Sequence, residues 1–166
     1  MVSQARERLL NDHHEVSDIL QQLRTALHNK DVEASYSRLD LLWARLAVHI
    51  RAEHLHLFPA VMSRLTEAQS VVETLRTDHD FFMRELARAI GVLREFPDEA
   101  KLAAVGESVR EIEKRLATHN EIEENQIYHW ASTILTEPEQ TDLAARINAE
   151  LENRPPRFSL EAWANE

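Results

Sequence analysis

Residues 46–59 read LAVHIRAEHLHLFP, and their spacing predicts a helix turned toward a core. Leu39, Leu42 and Leu46 lead into a stripe that His49, Glu53, His56 and Ala60 continue, with Ile50 and Leu57 widening it. Imidazoles and a carboxylate therefore stand where aliphatic side chains belong. The chain is rich in Leu, so these polar intrusions need a reason.

Three more stretches carry the same kind of stripe. The first holds Leu9, His13, Val16, Leu20, Leu23 and Leu27; the third Leu75, His79, Phe82, Leu86, Ala89 and Leu93. The fourth holds Val105, Val109, Ile112, Leu116, His119, Glu123, Ile127, Trp130 and Ile134. On all four the exceptions are histidine or glutamate. The breaks are short: HNKD (28–31), with Asp31 as an N-cap; LTEAQ (65–69), with Thr66 and Gln69 as a capping box; and FPDE (96–99). Short connections favour antiparallel neighbours, so the predicted fold is all-α, an up-down-up-down antiparallel four-helix bundle over residues 1–135. TEPEQ (136–140) opens a shorter helix reaching about Leu151. Residues 136–166 are read as this helix and a tail packing on, or extending from, the bundle, with Phe158, Leu160 and Trp163 as its apolar contacts.

Composition removes several classes of function. Only two glycines and five prolines suit long helices rather than hairpins. A net charge of -10 lacks the basic footprint that nucleic acid requires. There is no cysteine, hence no disulfide, thiolate ligand or cysteine nucleophile. The start, MVSQARERLLNDHHE, offers no apolar stretch of a signal sequence, and no uncharged run of about 18 residues could span a membrane. The expected location is cytoplasmic, with neither membrane nor nucleic acid as partner. No HExxH motif or glycine-rich phosphate loop is present, and Glu-x2-His pairs of the ferritin-like di-iron type do not recur in two helices. Nine histidines are many for 166 residues.

The chain repeats itself. LLNDHHEV (9–16) parallels LRTDHDFF (75–82), and LAVHIRAEHLHLF (46–58) parallels LATHNEIEENQIY (116–128). His13 aligns with His79, His49 with His119, and Glu53 with Glu123. Height along each helix can be estimated from the rise per residue. His13 and His49 lie roughly 25 and 28 Å from the first turn, and Glu53 and His79 about 20 Å from the second. His79 and His119 lie within about one helical turn of each other around the third. Antiparallel packing thus brings six side chains into one layer of the core.

Two buried carboxylates in that layer need compensation, and no Lys or Arg sits on the stripes nearby. A divalent metal supplies it, and imidazole nitrogen with carboxylate oxygen suits iron, zinc or manganese. His-x3-Glu places both ligands on one helix face. Six ligands exceed what one tetrahedral zinc uses; they fit two ions, with bridging carboxylates and two histidines for each. Nitrogen-rich sites with open positions suit iron that handles oxygen. His13 lies on its stripe while His14 is about 100° away, and Glu123 lies about 40° from the His119 direction against about 140° for Glu124. The predicted metal ligands are His13, His49, Glu53, His79, His119 and Glu123. His56, one turn beyond Glu53, is a possible additional ligand or a pocket-lining imidazole. Tyr36 and Tyr128 are poor candidates, the latter pointing about 180° from His119.

DHHEV, HIRAEHLHLFP, DHDFF and HNEIEE, in that order, resemble the hemerythrin-like, or HHE cation-binding, family over roughly residues 5–135. The resemblance implies a four-helix bundle holding two Fe ions bridged by an oxo or hydroxo group, with zinc or manganese as substitutes. Its ligands, carried onto this chain, are the same six. Three positions depart from the family. Met83 stands where oxygen-carrying hemerythrins have a further histidine, leaving one metal a protein ligand short and weakening an oxygen-carrier reading. Glu124 stands where those proteins use an aspartate, and His54 stands where the usual pattern has a second glutamate. The expected function is binding of O2, peroxide or NO at a di-iron centre, leaving room for weak oxidase or peroxide-consuming activity. The alternative is iron storage, delivery or sensing without turnover. No catalytic residue and no cofactor beyond metal can be named from the sequence.

Overall fold

The computed structural model describes residues 4–153. These form five helical rods with no strand among the described residues. Rod one is α1 (Gln4–His28). Rod two is α2 (Val32–Ala52), a π-helical turn (Glu53–Leu57) and α3 (Phe58–Met62). Rod three is α4 (Ala68–Arg94). Rod four is α5 (Glu99–Ile122), a second π turn (Glu123–Ile127) and α6 (Tyr128–Ile134). Rod five is α7 (Glu137–Glu152). The first four pack as consecutive neighbours, and α1 also meets α5, closing the ring. None of the described helices is long and apolar enough to cross a membrane.

Local chemistry sets the rod ends. Lys30 takes a left-handed conformation (φ 55°), letting Lys30 N–H bond Leu27 C=O and Asp31 N–H bond Ala26 C=O. That pattern satisfies the last carbonyls of α1, although glycine is the usual residue there. The Asp31 carboxylate then accepts from Ala34 N–H and starts α2, and Asp98 does the same for α5 through Lys101 N–H. Thr66 and Gln69 do not form the expected capping box. The helix begins at Ala68 after a turn in which Gln69 N–H bonds Thr66 C=O, and its N-cap position, Glu67, makes no side-chain cap bond. A full capping box appears instead at Thr136 and Glu139, starting α7.

The core is split in two. One apolar cluster gathers Val16, Leu20, Leu42, Leu46, Phe82, Leu86 and Leu116 with their neighbours. The other gathers Leu9, Val48, Leu57, Phe58, Leu75, Ile127 and Tyr128 with Leu143, Ala144, Ile147 and Leu151 of α7. The fifth rod therefore covers one end of the bundle, and Arg51 fastens it through Glu150 (Nε to Oε2, 2.9 Å). Between the two clusters lies the polar layer. Phe158, Leu160 and Trp163, expected to pack as a tail, lie outside the described residues.

Candidate metal centre

The structure brings all six predicted side chains together. His13 comes from α1, His49 from the end of α2, His79 from the middle of α4 and His119 from the end of α5; Glu53 and Glu123 open the two π turns. All six are buried, both glutamates completely. His14 is exposed, and Glu124 stands half-buried at the margin.

Each carboxylate spans two histidine pairs. Glu53 Oε1 lies 3.3 Å from His49 Nε2 while its Oε2 lies 3.4 Å from His79 Nε2. Glu123 Oε2 lies 3.1 Å from His13 Nε2 while its Oε1 lies 2.7 Å from His119 Nε2 and 3.5 Å from His79 Nε2. His13 and His49 thus face one oxygen of each glutamate, and His79 and His119 face the others. Two groups of donor atoms within metal-ligating distance result: His13, His49 and Glu123, and His79, His119 and Glu123.

The outer ring nitrogens are held from behind. His49 Nδ1 is 3.0 Å from Asp12 Oδ2, and His119 Nδ1 is 3.2 Å from Asp78 Oδ2. His13 Nδ1 is 2.9 Å from Glu124 Oε1. His79 differs: its Nδ1 meets His54 Nε2 at 2.9 Å. Donation of Nδ1–H to a carboxylate fixes the tautomer and turns the Nε2 lone pair inward. Asp12 and Asp78 also accept from Arg45 Nη2 (2.8 Å) and Arg115 Nε (2.7 Å). The repeat seen in the sequence is therefore a repeat of Arg, Asp and His contacts. Arg45, one position off its stripe, is a buried cation, but Asp12 and Glu15 claim it rather than the central glutamates.

Charge in the layer moves several pKa values. Burial would depress His49, but the charges of Glu53 and Glu123 and the bonds to Asp12 and Glu53 outweigh it and hold the imidazolium well above its usual range. His119 is raised in the same way by Glu123, Glu53 and Asp78. Burial raises Asp12, yet His49 and Arg45 pull it below the ordinary carboxylate value. His54 is pushed down to about 4 by burial, then by the neighbouring charges of His79 and Arg76.

These residues fit a cation. Glu53 Oε2 and Glu123 Oε1 are fully buried and make no hydrogen bond, although His119 Nε2 lies 2.7 Å from the latter. His79 Nε2 and His119 Nε2 face each other at 3.0 Å. Two buried carboxylates and four imidazole nitrogens this close in a low-dielectric core require positive charge among them, which protons on His49 and His119 supply in the metal-free protein and a bound cation would supply in their place. Nitrogen and oxygen donors in this number suit iron, manganese or zinc.

Two expectations change. Tyr128 does not point away: its hydroxyl donates to Glu53 Oε1 (2.8 Å) and lies 3.2 Å from Glu123 Oε2 and 3.1 Å from His13 Nε2. The cause is the second π turn, where Tyr128 N–H bonds Glu123 C=O five residues back. One extra residue in a turn delays the helical phase by about 100°. Burial, then the charges of Glu123 and Glu53, push the phenol well above its usual range. His56 moves the opposite way. The first π turn, closed by Phe58 N–H to Glu53 C=O, carries it off the stripe to Glu150 of α7 (Nε2 to Oε1, 3.5 Å). His56 is therefore not among the clustered donors.

A cavity of about 10 Å³, measured as room for the centre of a water molecule, adjoins the layer. All four histidines line it, together with Val16, Leu46, Phe82 and Leu116. It has room for about one water-sized molecule. Met83, at the position lacking histidine, is buried in the same apolar cluster.

Fold and donor set together define a metal-binding helical protein. Residues 4–131 match the family model for the hemerythrin HHE cation-binding domain, and the chain belongs to that family. No curated protein matches it.

Proposed function

We propose that the chain binds two iron ions in this layer and, at that centre, O2 or a related small molecule such as peroxide or NO. The supporting observation is that each glutamate directs one oxygen toward the His13/His49 pair and the other toward His79/His119. Two carboxylates so placed would offer one oxygen to each of two ions. When bound, iron supplies an open coordination position and a redox couple.

The chain's own residues do the rest. His13, His49, His79 and His119 offer Nε2, while Asp12, Asp78 and Glu124 hold three of the rings in orientation. Val16, Leu46, Phe82 and Leu116 give the cavity beside the layer an apolar wall. That cavity is of about the size of one water molecule, which favours a small ligand.

Metal analysis of protein from iron-supplemented expression, with absorption spectra of the reduced protein before and after air, tests the reading. Two irons per chain and an oxygen-dependent charge-transfer band are expected. Two irons with no spectral change would move the function to storage or delivery, and a single zinc would overturn the iron reading.

A further inference from the structure

The two halves of the centre are related by the internal repeat, and the repeat is broken at one informative place. Tyr128 and Phe58 occupy equivalent positions, each five residues after a glutamate and each closing a π turn. Phe58 stacks on His79, with ring centroids 6.0 Å apart and planes 9° apart, and brings no donor atom. Tyr128 instead places its hydroxyl among the donors of the His13/His49 half.

We propose that Tyr128 Oη is itself a metal ligand, held by the same ion as His13 and His49, so that the exchangeable position lies on the His79/His119 side. The spacing of the donors carries this. Oη lies 3.1 Å from His13 Nε2, 2.8 Å from Glu53 Oε1 and 3.2 Å from Glu123 Oε2. His13 Nε2 and Glu123 Oε2 are 3.1 Å apart, and His49 Nε2 and Glu53 Oε1 are 3.3 Å apart. Donors about 3 Å from one another form the edges of a polyhedron whose metal bonds are about 2.1 Å. A phenol that merely filled the core would need one acceptor; this one meets three ligating atoms at once. Coordination through Oη breaks the O–H bond, and the proton leaves to solvent as the metal–oxygen bond forms. Phe58 leaves the other half one protein ligand short, and Met83 does not make up the difference.

The inference rests on the two-iron reading, and the test separates the two. Ferric protein is prepared from wild type, Tyr128→Phe and Tyr36→Phe; iron per chain, the visible spectrum and the resonance Raman spectrum are recorded. Iron-bound phenolate gives a visible charge-transfer band whose excitation enhances tyrosine ring modes. The expected result is two irons in all three proteins, with the band and ring modes in wild type and Tyr36→Phe and complete loss of both in Tyr128→Phe. Tyr36, the chain's other tyrosine, bonds Arg94 at 3.0 Å in a different part of the bundle and serves as the control. Two irons without tyrosine modes in wild type, or modes that persist in Tyr128→Phe, would overturn the ligand assignment alone. Fewer than two irons in wild type would overturn the underlying reading. Where Tyr128→Phe fails to accumulate, the wild-type and Tyr36→Phe spectra decide the matter, since Tyr128 is the one tyrosine left in Tyr36→Phe.

Discussion

Replacing Asp12 by Asn separates the two tasks this carboxylate performs. Asp12 is completely buried and joins Arg45, whose side chain is 3 % exposed, to His49. Removing one member of a buried ion pair costs about 3–5 kcal/mol, because the partner is left charged and unpaired. Glu15, about half exposed, also reaches the Arg45 guanidinium and offsets up to roughly 1 kcal/mol. The expected loss is therefore about 2–4 kcal/mol in the metal-free protein. Guanidinium denaturation followed by circular dichroism measures it. The equivalent change at Asp78 supplies the comparison. Arg115 is 39 % exposed, so water solvates the abandoned guanidinium and Asp78→Asn should cost about 1 kcal/mol. Metal affinity should nevertheless fall by a similar ~10–100-fold in both variants, since His49 and His119 each lose the group that orients them. Equal stability losses in the two variants, or a loss under about 1 kcal/mol for Asp12→Asn, would refute the burial argument.

Other outcomes follow from the same geometry. His49 and His119 have raised pKa values without metal, so the stability they contribute is complete below about 6.5 and is lost as pH rises through the raised folded values. Metal uptake displaces those protons, and calorimetry near pH 7 in buffers of different ionisation enthalpy should detect proton release; a buffer-independent heat would contradict this. His56→Ala should retain the full metal content, whereas His13→Ala should lose affinity for at least one ion, as read by metal analysis. Deleting Asn125 should turn the second π turn into ordinary α-helix and rotate Tyr128 by about 100° away from Glu53. A deletion protein whose tyrosine modes match wild type would show that the π turn does not place the phenol.

The parts of the centre that follow from α-helical arithmetic were legible in the sequence. His13, His49, His79 and His119 lie on regular helix, and Glu53 and Glu123 stand at the first residue of each π turn, before any phase change accumulates. Tyr128 was misjudged because it lies past an extra residue that no propensity signals, and His56, left open between ligand and pocket-lining imidazole, lies inside the other such turn. A functional carboxylate followed five residues later by an aromatic in both repeats, Glu53 with Phe58 and Glu123 with Tyr128, was the one available cue. The supporting Asp12 and Asp78 were visible as the Asp-His of both repeats, but their partners lie across the bundle on α2 and α5. Only packing shows that Arg45, off its stripe, turns inward to meet Asp12.

In the proposed function, six side chains from four rods hold two ions between paired carboxylates. Diffraction from crystals of the iron-loaded protein at the iron absorption edge locates those ions. Two anomalous peaks are expected, one between His13 and His49 and one between His79 and His119, each within bonding distance of Glu53 and Glu123. A single peak, or peaks confined to surface carboxylates, would contradict it.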